Sequence, residues 1–224
     1  MNKEIYKIKK KITSFYKKMK FKGAKHLHEP YFDRFDYNEI KKTIINKQVS
    51  TYGNNVNKFE KQICKITKSK YCIATINGTS ALHLSLLTIK IKKNDEILLP
   101  SVSFIAAANS IKYCRGIPHF VDSETDTLGV DVEKLGKYLK RNTKMVKNIC
   151  INKKTNNTIK AIVCVHVFGL SLNIKSLVKL AKKYNILVIE DAAEALGSYN
   201  SNKHLGTYSD IGILSFNGNK IINF

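Results

Sequence analysis

The segment SFNGNK, residues 215–220, places Lys220 just after GILSF, an apolar run typical of a β-strand. A lysine held at a strand end, beside a phosphate-binding turn and a buried acid, suits a Schiff base with an aldehyde cofactor. Taken alone, Lys220 indicates nothing, because the chain has 39 Lys and Arg residues. Whether Lys220 forms a Schiff base must therefore be judged from the other polar groups that the fold brings to it.

The turn Asn77-Gly78-Thr79-Ser80 lies between an apolar run and a helical pattern. Gly78 lets the backbone approach a ligand closely, and the free amides of a helix N-terminus together with the Thr79 hydroxyl can bind a phosphate. An ordinary helix cap has the same residue types. The turn alone favours the ordinary cap.

Asp191 and Phe104 also follow apolar runs. Asp191 ends the run ILVIED. An acid at the end of a buried strand can meet a cation, a metal or a protonated ring nitrogen, or it can cap a helix. Both interpretations stay open. Phe104 comes just after the strand-like DEILLP, where an aromatic ring can stack on a planar ligand. A plain core position is the commoner role for such a residue.

The elements that must position these residues alternate regularly. Short apolar runs, each followed by an amphipathic helical pattern, predict parallel strands at 70–76, 95–100, 118–122, 161–168 and 186–191. The fold class is therefore α/β, a doubly wound, mostly parallel sheet between two helical layers. In such sheets ligands bind at the carboxyl ends of the strands. Residues 141–159 are polar and weakly periodic, and we predict a long surface loop there.

The composition excludes several classes of protein. The net charge of +22 comes from lysines scattered along the chain, which favours a solvated surface over a nucleic-acid-binding protein. Five widely spaced cysteines predict reduced thiols in the cytoplasm, with no disulfide framework and no metal site. We find no secretory signal and no membrane-spanning segment.

Residues 1–25 form a separate basic segment. Ile5, Ile8, Ile12 and Phe15 recur at helical spacing, which predicts an amphipathic helix. A docking or solvated helix is favoured over a membrane-surface role because lysine is common throughout the chain.

Together the site residues resemble those of the fold-type I pyridoxal-phosphate enzymes. More closely, NGTSALHLSL, DEILLPSVSFIAAANSIKYCRGIPHFVD, VHVFG, VIEDAAEALGS and SDIGILSFNGNK resemble the DegT/DnrJ/StrS-type sugar aminotransferases. The segments LHEPYFD and VSTYGNNVNKFE resemble the subgroup of nonulosonic (legionaminic-type) sugar pathways. The resemblance runs from about residue 26, so it implies a pyridoxal-phosphate-binding large domain over residues 26–224.

This resemblance implies a role for each residue. Gly78, Thr79 and Ser215 would bind the cofactor phosphate, and Phe104 would cover one face of the ring. Asp191 would pair with the pyridine nitrogen and keep it protonated.

The resemblance also makes Lys220 the Schiff-base lysine and the group that moves a proton at the substrate carbon. The related sugar dehydratases replace this lysine with histidine, so Lys220 favours amino transfer. Glu194 stands where many members have Gln or His, and a carboxylate there disfavours an ionised phenolic oxygen unless a cation compensates.

The implied function is transfer of an amino group from an amino acid, usually glutamate, to a nucleotide-linked keto-sugar for surface polysaccharide. A cytoplasmic homodimer is implied as well. In the family the chain continues after the lysine with a further strand and a smaller C-terminal domain, so we expect this domain to be incomplete, with unpaired strand edges. A non-catalytic fragment or pseudoenzyme of the same family is the alternative.

Overall fold

The computed structural model describes residues 3–18, 30–50 and 54–222, and the chain divides into two compact units, residues 1–31 and 32–224. The first unit contains helix α1, Lys3–Lys18, at the position that the sequence predicts. The predicted boundary between residues 25 and 26 lies outside the described residues. None of the helices in the described ranges is long and apolar enough to cross a membrane.

The second unit alternates helices and strands. Its helices, in the described residues, are α2 Arg34–Ile45, α3 Asn54–Thr67, α4 Gly78–Thr88, α5 Ile105–Tyr113, α6 Val132–Asn142 and α7 Ile174–Lys183. Its strands are β1 Glu96–Pro100, β2 Ile117–Val121, β3 Thr143–Val146, β4 Ile149–Asn152, β5 Ile159–Val165, β6 Leu187–Asp191, β7 Tyr199–Asn200, β8 Lys203–His204 and β9 Ile211–Ile213.

Five of these strands form one parallel sheet in the order β2-β1-β5-β6-β9. Successive residues of a strand point to opposite faces, so Leu98 of β1 faces one core while Ile97 and Leu99 face the other. The first core is completed by α6 and α7 and the second by α4 and α5, through residues such as Leu177 and Leu86. The predicted three-layer α/β fold is confirmed.

The strand predicted at residues 70–76 is wrong. Residues 71–75 form no ladder, and Ile73 is 72% and Ile76 is 90% exposed. A groove of about 1380 Å³ lies between this segment and β9, whose outer edge has no strand partner in the described part of the chain. β-branched residues favour a strand only where a neighbouring strand supplies ladder hydrogen bonds. Here the groove separates residues 71–75 from β9, so that strand supplies none.

The surface loop predicted at residues 141–159 is also wrong. Strands β3 and β4 form an antiparallel hairpin within it. The buried carboxylate of Glu96, at the start of β1, accepts hydrogen bonds from Asn152 (2.8 Å) and Thr155 and contacts His119 Nδ1 at 2.7 Å. The hairpin is thereby fixed to the base of the sheet, opposite the carboxyl ends of the strands.

The five cysteines are all free.

Candidate active site

The carboxyl ends of β1, β5, β6 and β9 meet at one edge of the sheet, because the four strands are parallel. Phe104 follows β1, Asp191 ends β6, and Ser215 and Lys220 follow β9, which ends at Ile213 instead of continuing to residue 216. Phe104 is 72% exposed, so it is not a core residue. The edge carries an aromatic ring, an acid and a lysine.

The first turn of α4 lies against Ser215. A Cβ added to Gly78 would be 3.3 Å from Ser215 Cβ and 3.4 Å from Ser215 Oγ, so a larger residue at Gly78 would press on the Ser215 side chain. Asn77 caps the helix by accepting a hydrogen bond from the Ser80 amide at 2.8 Å. Asn77 is therefore a helix cap, as an ordinary turn would have it. The start of this helix at Gly78 also lies against the Ser215 side chain, and a hydroxyl beside a helix N-terminus suits an anion.

Asp191 is 5% exposed and is followed by turns, so it caps no helix. Burial raises the pKa of its carboxyl group, and the Ala193 amide, 3.2 Å from Oδ1, and the charge of Lys220 oppose this effect without cancelling it. A buried carboxylate in this position gains stability from a further positive partner.

Lys220 pairs with Glu194. Its Nζ lies 3.0 Å from Glu194 Oε1, while the Phe168 amide donates to Oε2 at 3.0 Å. Gly169 has φ +75°, and a Cβ there would be 2.7 Å from the Glu194 carbonyl oxygen, so only glycine allows the loop after β5 to approach so closely. Lys220 and Glu194 thus form an ion pair at the edge of the sheet that carries Asp191.

The turn before Lys220 is closed by the Lys220 amide, which donates to the Asn217 carbonyl oxygen at 2.8 Å. The Asn217 side chain in turn donates to Asn219 Oδ1 at 2.9 Å. These bonds are local, which explains why the asparagines frame the lysine.

Sequence reasoning missed a buried pair directly behind Asp191. Glu190 is 0% exposed and contacts His166 Nε2 at 3.0 Å; it also accepts from the amides of Gly206, Tyr208 and Ser209. Burial raises the pKa of Glu190, but these hydrogen bonds outweigh it and the pKa lies below its ordinary value. The only sequence signal is the acid doublet in VIED.

His166 links this pair to the site. Its amide donates to the Asp191 carbonyl oxygen at 3.0 Å, and its Nδ1 is buried without a hydrogen-bond partner among the described residues. A buried polar atom of this kind is uncommon in a folded protein.

The described residues fit pyridoxal phosphate. A helix N-terminus beside Ser215 suits its phosphate, the buried acid Asp191 suits a protonated ring nitrogen, and Lys220 is an amine at the same edge of the sheet. Phe104 provides an exposed aromatic face.

Residues 30–224 match the DegT/DnrJ/EryC1/StrS aminotransferase family. GDP-perosamine synthase of Escherichia coli O157:H7 is 39% identical over 174 residues, which are 78% of this chain and 43% of that protein. The chain spans about half the length of the curated relatives it matches.

Solved structures are similar as well. The aminotransferase from Psychrobacter cryohalolentis gives a TM-score of 0.76 at 28% identity and covers 87% of this chain and 46% of its own. A mutant of GDP-4-keto-6-deoxymannose-3-dehydratase (ColD) with bound GDP-perosamine gives a TM-score of 0.75 at 26% identity. The match covers 89% of this chain and 49% of the ColD chain. Because the matched residues include the whole parallel sheet and every candidate site residue, the chain belongs to the DegT/DnrJ/EryC1/StrS aminotransferase family.

Proposed function

We propose that this chain carries the pyridoxal-phosphate site of an aminotransferase that moves an amino group from an amino acid, glutamate, to a keto group of a nucleotide-linked sugar. The observation that carries the proposal is Asp191, a buried acid with a raised pKa, at the same sheet edge as Lys220. Pyridoxal phosphate is the cofactor of the family. When bound, it supplies an aldehyde that takes up an amino group and a protonated ring that withdraws electrons.

Three residues would bind the phosphate. The first-turn amides of Gly78 and Thr79 would donate to the phosphate, and the Ser215 hydroxyl, close to Gly78, would add a further donor. Phe104 would cover one face of the ring and exclude water from it.

Asp191 would hold the proton on the ring nitrogen. Burial makes this ion pair stronger than it would be in water, because the effective dielectric constant is lower. The Glu190–His166 pair behind it, fixed by backbone amides, would keep the Asp191 carbonyl end of β6 in place.

Lys220 would have two roles. Its Nζ would bind the aldehyde, and after an incoming amine replaces it, the same Nζ would move a proton at the α-carbon of the donor. Glu194, 3.0 Å away, would orient the lysine until then.

The nucleotide-linked sugar is supported by the relatives. The similar E. coli protein is named for GDP-perosamine, and the similar ColD structure contains GDP-perosamine. Lysine at position 220 favours amino transfer over the dehydration catalysed by ColD. We also propose a homodimer, as the resemblance implies.

The alternative is a non-catalytic fragment or pseudoenzyme of the same family. The deciding experiment incubates the full chain with pyridoxal phosphate, glutamate and GDP-4-keto-6-deoxymannose. We expect one 2-oxoglutarate for each amino-sugar nucleotide formed, and no product with Lys220→Ala. Cofactor binding without product would favour the fragment.

A further inference from the structure

Helix α1 lies outside the part of the chain that matches the family model. The family match begins at residue 30, whereas α1 spans Lys3–Lys18 within the separate first unit. The proposed reaction uses no residue of this helix.

The two sides of α1 differ sharply. At about 100° per residue, Ile5, Ile8, Ile12 and Phe15 fall within an arc of about 80°. Each of the four is more than half exposed. Four large apolar side chains on one exposed stripe are more than scattered surface residues.

The rest of α1 is strongly basic. The helix carries seven lysines against one acid, Glu4, which gives it a net charge of +6. Lys9 and Lys11 flank the apolar stripe on its two sides, and Lys10 lies opposite it. Long lysine stems beside an apolar stripe can lie along it while the ammonium groups reach outward to anionic groups.

The abundance of lysine in the chain favours a docking or solvated helix, but it does not explain an exposed apolar stripe with lysines on both flanks. We propose that α1 binds the surface of an anionic lipid bilayer, with the Ile and Phe stripe inserted at the boundary between headgroups and acyl chains. A flat anionic surface matches the charge on both flanks of the stripe at once. Nucleic acid would use the lysines but leave the four apolar side chains in water. The helix lies on the bilayer and does not cross it, in agreement with its composition.

The chain contains no tryptophan, so a single introduced indole reports its own position. Phe15→Trp places the indole on the apolar stripe, and Ser14→Trp places it on the polar side of the same exposed helix. With vesicles of phosphatidylglycerol and phosphatidylcholine in equal parts, emission of the full chain with F15W should shift to the blue. Emission of the chain with S14W should not shift. With vesicles of pure phosphatidylcholine, the emission of neither variant should shift.

Affinity for the vesicles separates the contribution of the apolar stripe from that of the lysines. Ile8→Asn and Ile12→Asn should each weaken binding about tenfold or more, because an apolar side chain no longer leaves water. Ile8→Leu and Ile12→Leu are the matched controls and should bind as the unchanged helix does. Lys10→Gln and Lys17→Gln should each weaken binding about fivefold, and added salt should do the same.

Three outcomes would overturn the proposal. One is no blue shift of F15W on phosphatidylglycerol vesicles. Another is unchanged affinity in the Ile→Asn variants, which would assign the binding to lysines elsewhere in the chain. A third is binding to a DNA duplex that competes with the vesicles and is unaffected by the Ile→Asn variants. All the substituted side chains are exposed, so the variants leave the buried core unchanged.

Discussion

Glu190 offers the sharpest test of how the site is supported. Its Oε1 accepts hydrogen bonds from the Tyr208 amide and from the Ser209 amide and hydroxyl, and its Oε2 accepts from the Gly206 amide and contacts His166 Nε2. Glu190→Gln keeps the shape of the side chain but turns one oxygen into a donor. We expect this change to destabilise the chain strongly.

The magnitude follows from counting donors. If the new NH₂ group replaces Oε2, His166 can change tautomer and accept, but the Gly206 amide then faces another donor. A buried amide without an acceptor costs about 1–3 kcal/mol. The remaining bonds lose their charge assistance, which costs roughly 1 kcal/mol or more in total. We therefore expect a loss of about 2–5 kcal/mol in the free energy of unfolding.

The assay is urea unfolding of the full chain at pH 7, followed by circular dichroism. The matched control is Glu133→Gln, the same chemical change in an exposed i,i+4 pair with Lys137, which should leave the free energy of unfolding nearly unchanged.

The pH dependence adds a second check. Because the pKa of Glu190 is lowered by folding, its contribution is present above the ordinary value of 4.5 and is lost as the pH falls through the folded-state pKa. The difference in the free energy of unfolding between the unchanged chain and Glu190→Gln should thus shrink below about pH 4.5. A Glu190→Gln variant as stable as Glu133→Gln at pH 7 would refute this reasoning.

Three further outcomes are expected. Asp191→Asn should stabilise the cofactor-free chain at pH 7 by roughly 0.5–2 kcal/mol in thermal unfolding, because a buried charge is removed. The folded-state pKa of Asp191 is raised, so this gain should vanish as the pH falls toward the ordinary value of 3.8, and a loss of stability at pH 7 would contradict the account. Glu96→Gln should speed hydrogen exchange in the β3–β4 hairpin by about tenfold or more, because its carboxylate accepts from that segment; unchanged exchange there would argue against the anchor. Glu194→Gln should alter the free energy of unfolding by less than about 1 kcal/mol, since its pair with Lys220 is partly exposed. A loss of stability as large as that expected for Glu190→Gln would contradict the partly exposed position of Glu194.

The parallel sheet was predictable because its central strands β1, β5 and β6 are buried on both faces. Runs such as EILLP and IKAIVCV are apolar at nearly every position, and in a chain with alternating helices that pattern is typical of buried parallel strands. The run KYCIATI looks the same but forms no strand. Whether a strand forms depends on a neighbour that is distant in sequence, and composition does not report that neighbour.

The hairpin of β3 and β4 was missed for a related reason. Its strands have four residues each, and the Lys and Asn residues around them are typical of loops. Its anchor, Glu96, lies more than 50 residues before Asn152 in the sequence. No local pattern contains both partners of such a contact.

The candidate site was predicted residue by residue, but its side-chain pairing was not. Sequence placed Asp191 at the end of a strand, where the structure has it, whereas Lys220 lies in a turn beyond the end of β9 at Ile213. The Lys220–Glu194 pair and the Glu190–His166 pair depend on how separate loops approach one another after folding. The orphaned Nδ1 of His166 likewise has no signature in VHVFG.

The central claim is that Lys220 binds the cofactor aldehyde. The most direct test loads the full chain with one equivalent of pyridoxal phosphate, reduces it with borohydride and maps the modified peptide by mass spectrometry. In this lysine-rich chain, selectivity is the criterion, and Lys203→Ala is the control that should leave the adduct unchanged. The account predicts one dominant adduct on Lys220, lost in Lys220→Ala. An adduct spread over many lysines, or one that persists in Lys220→Ala, would contradict it.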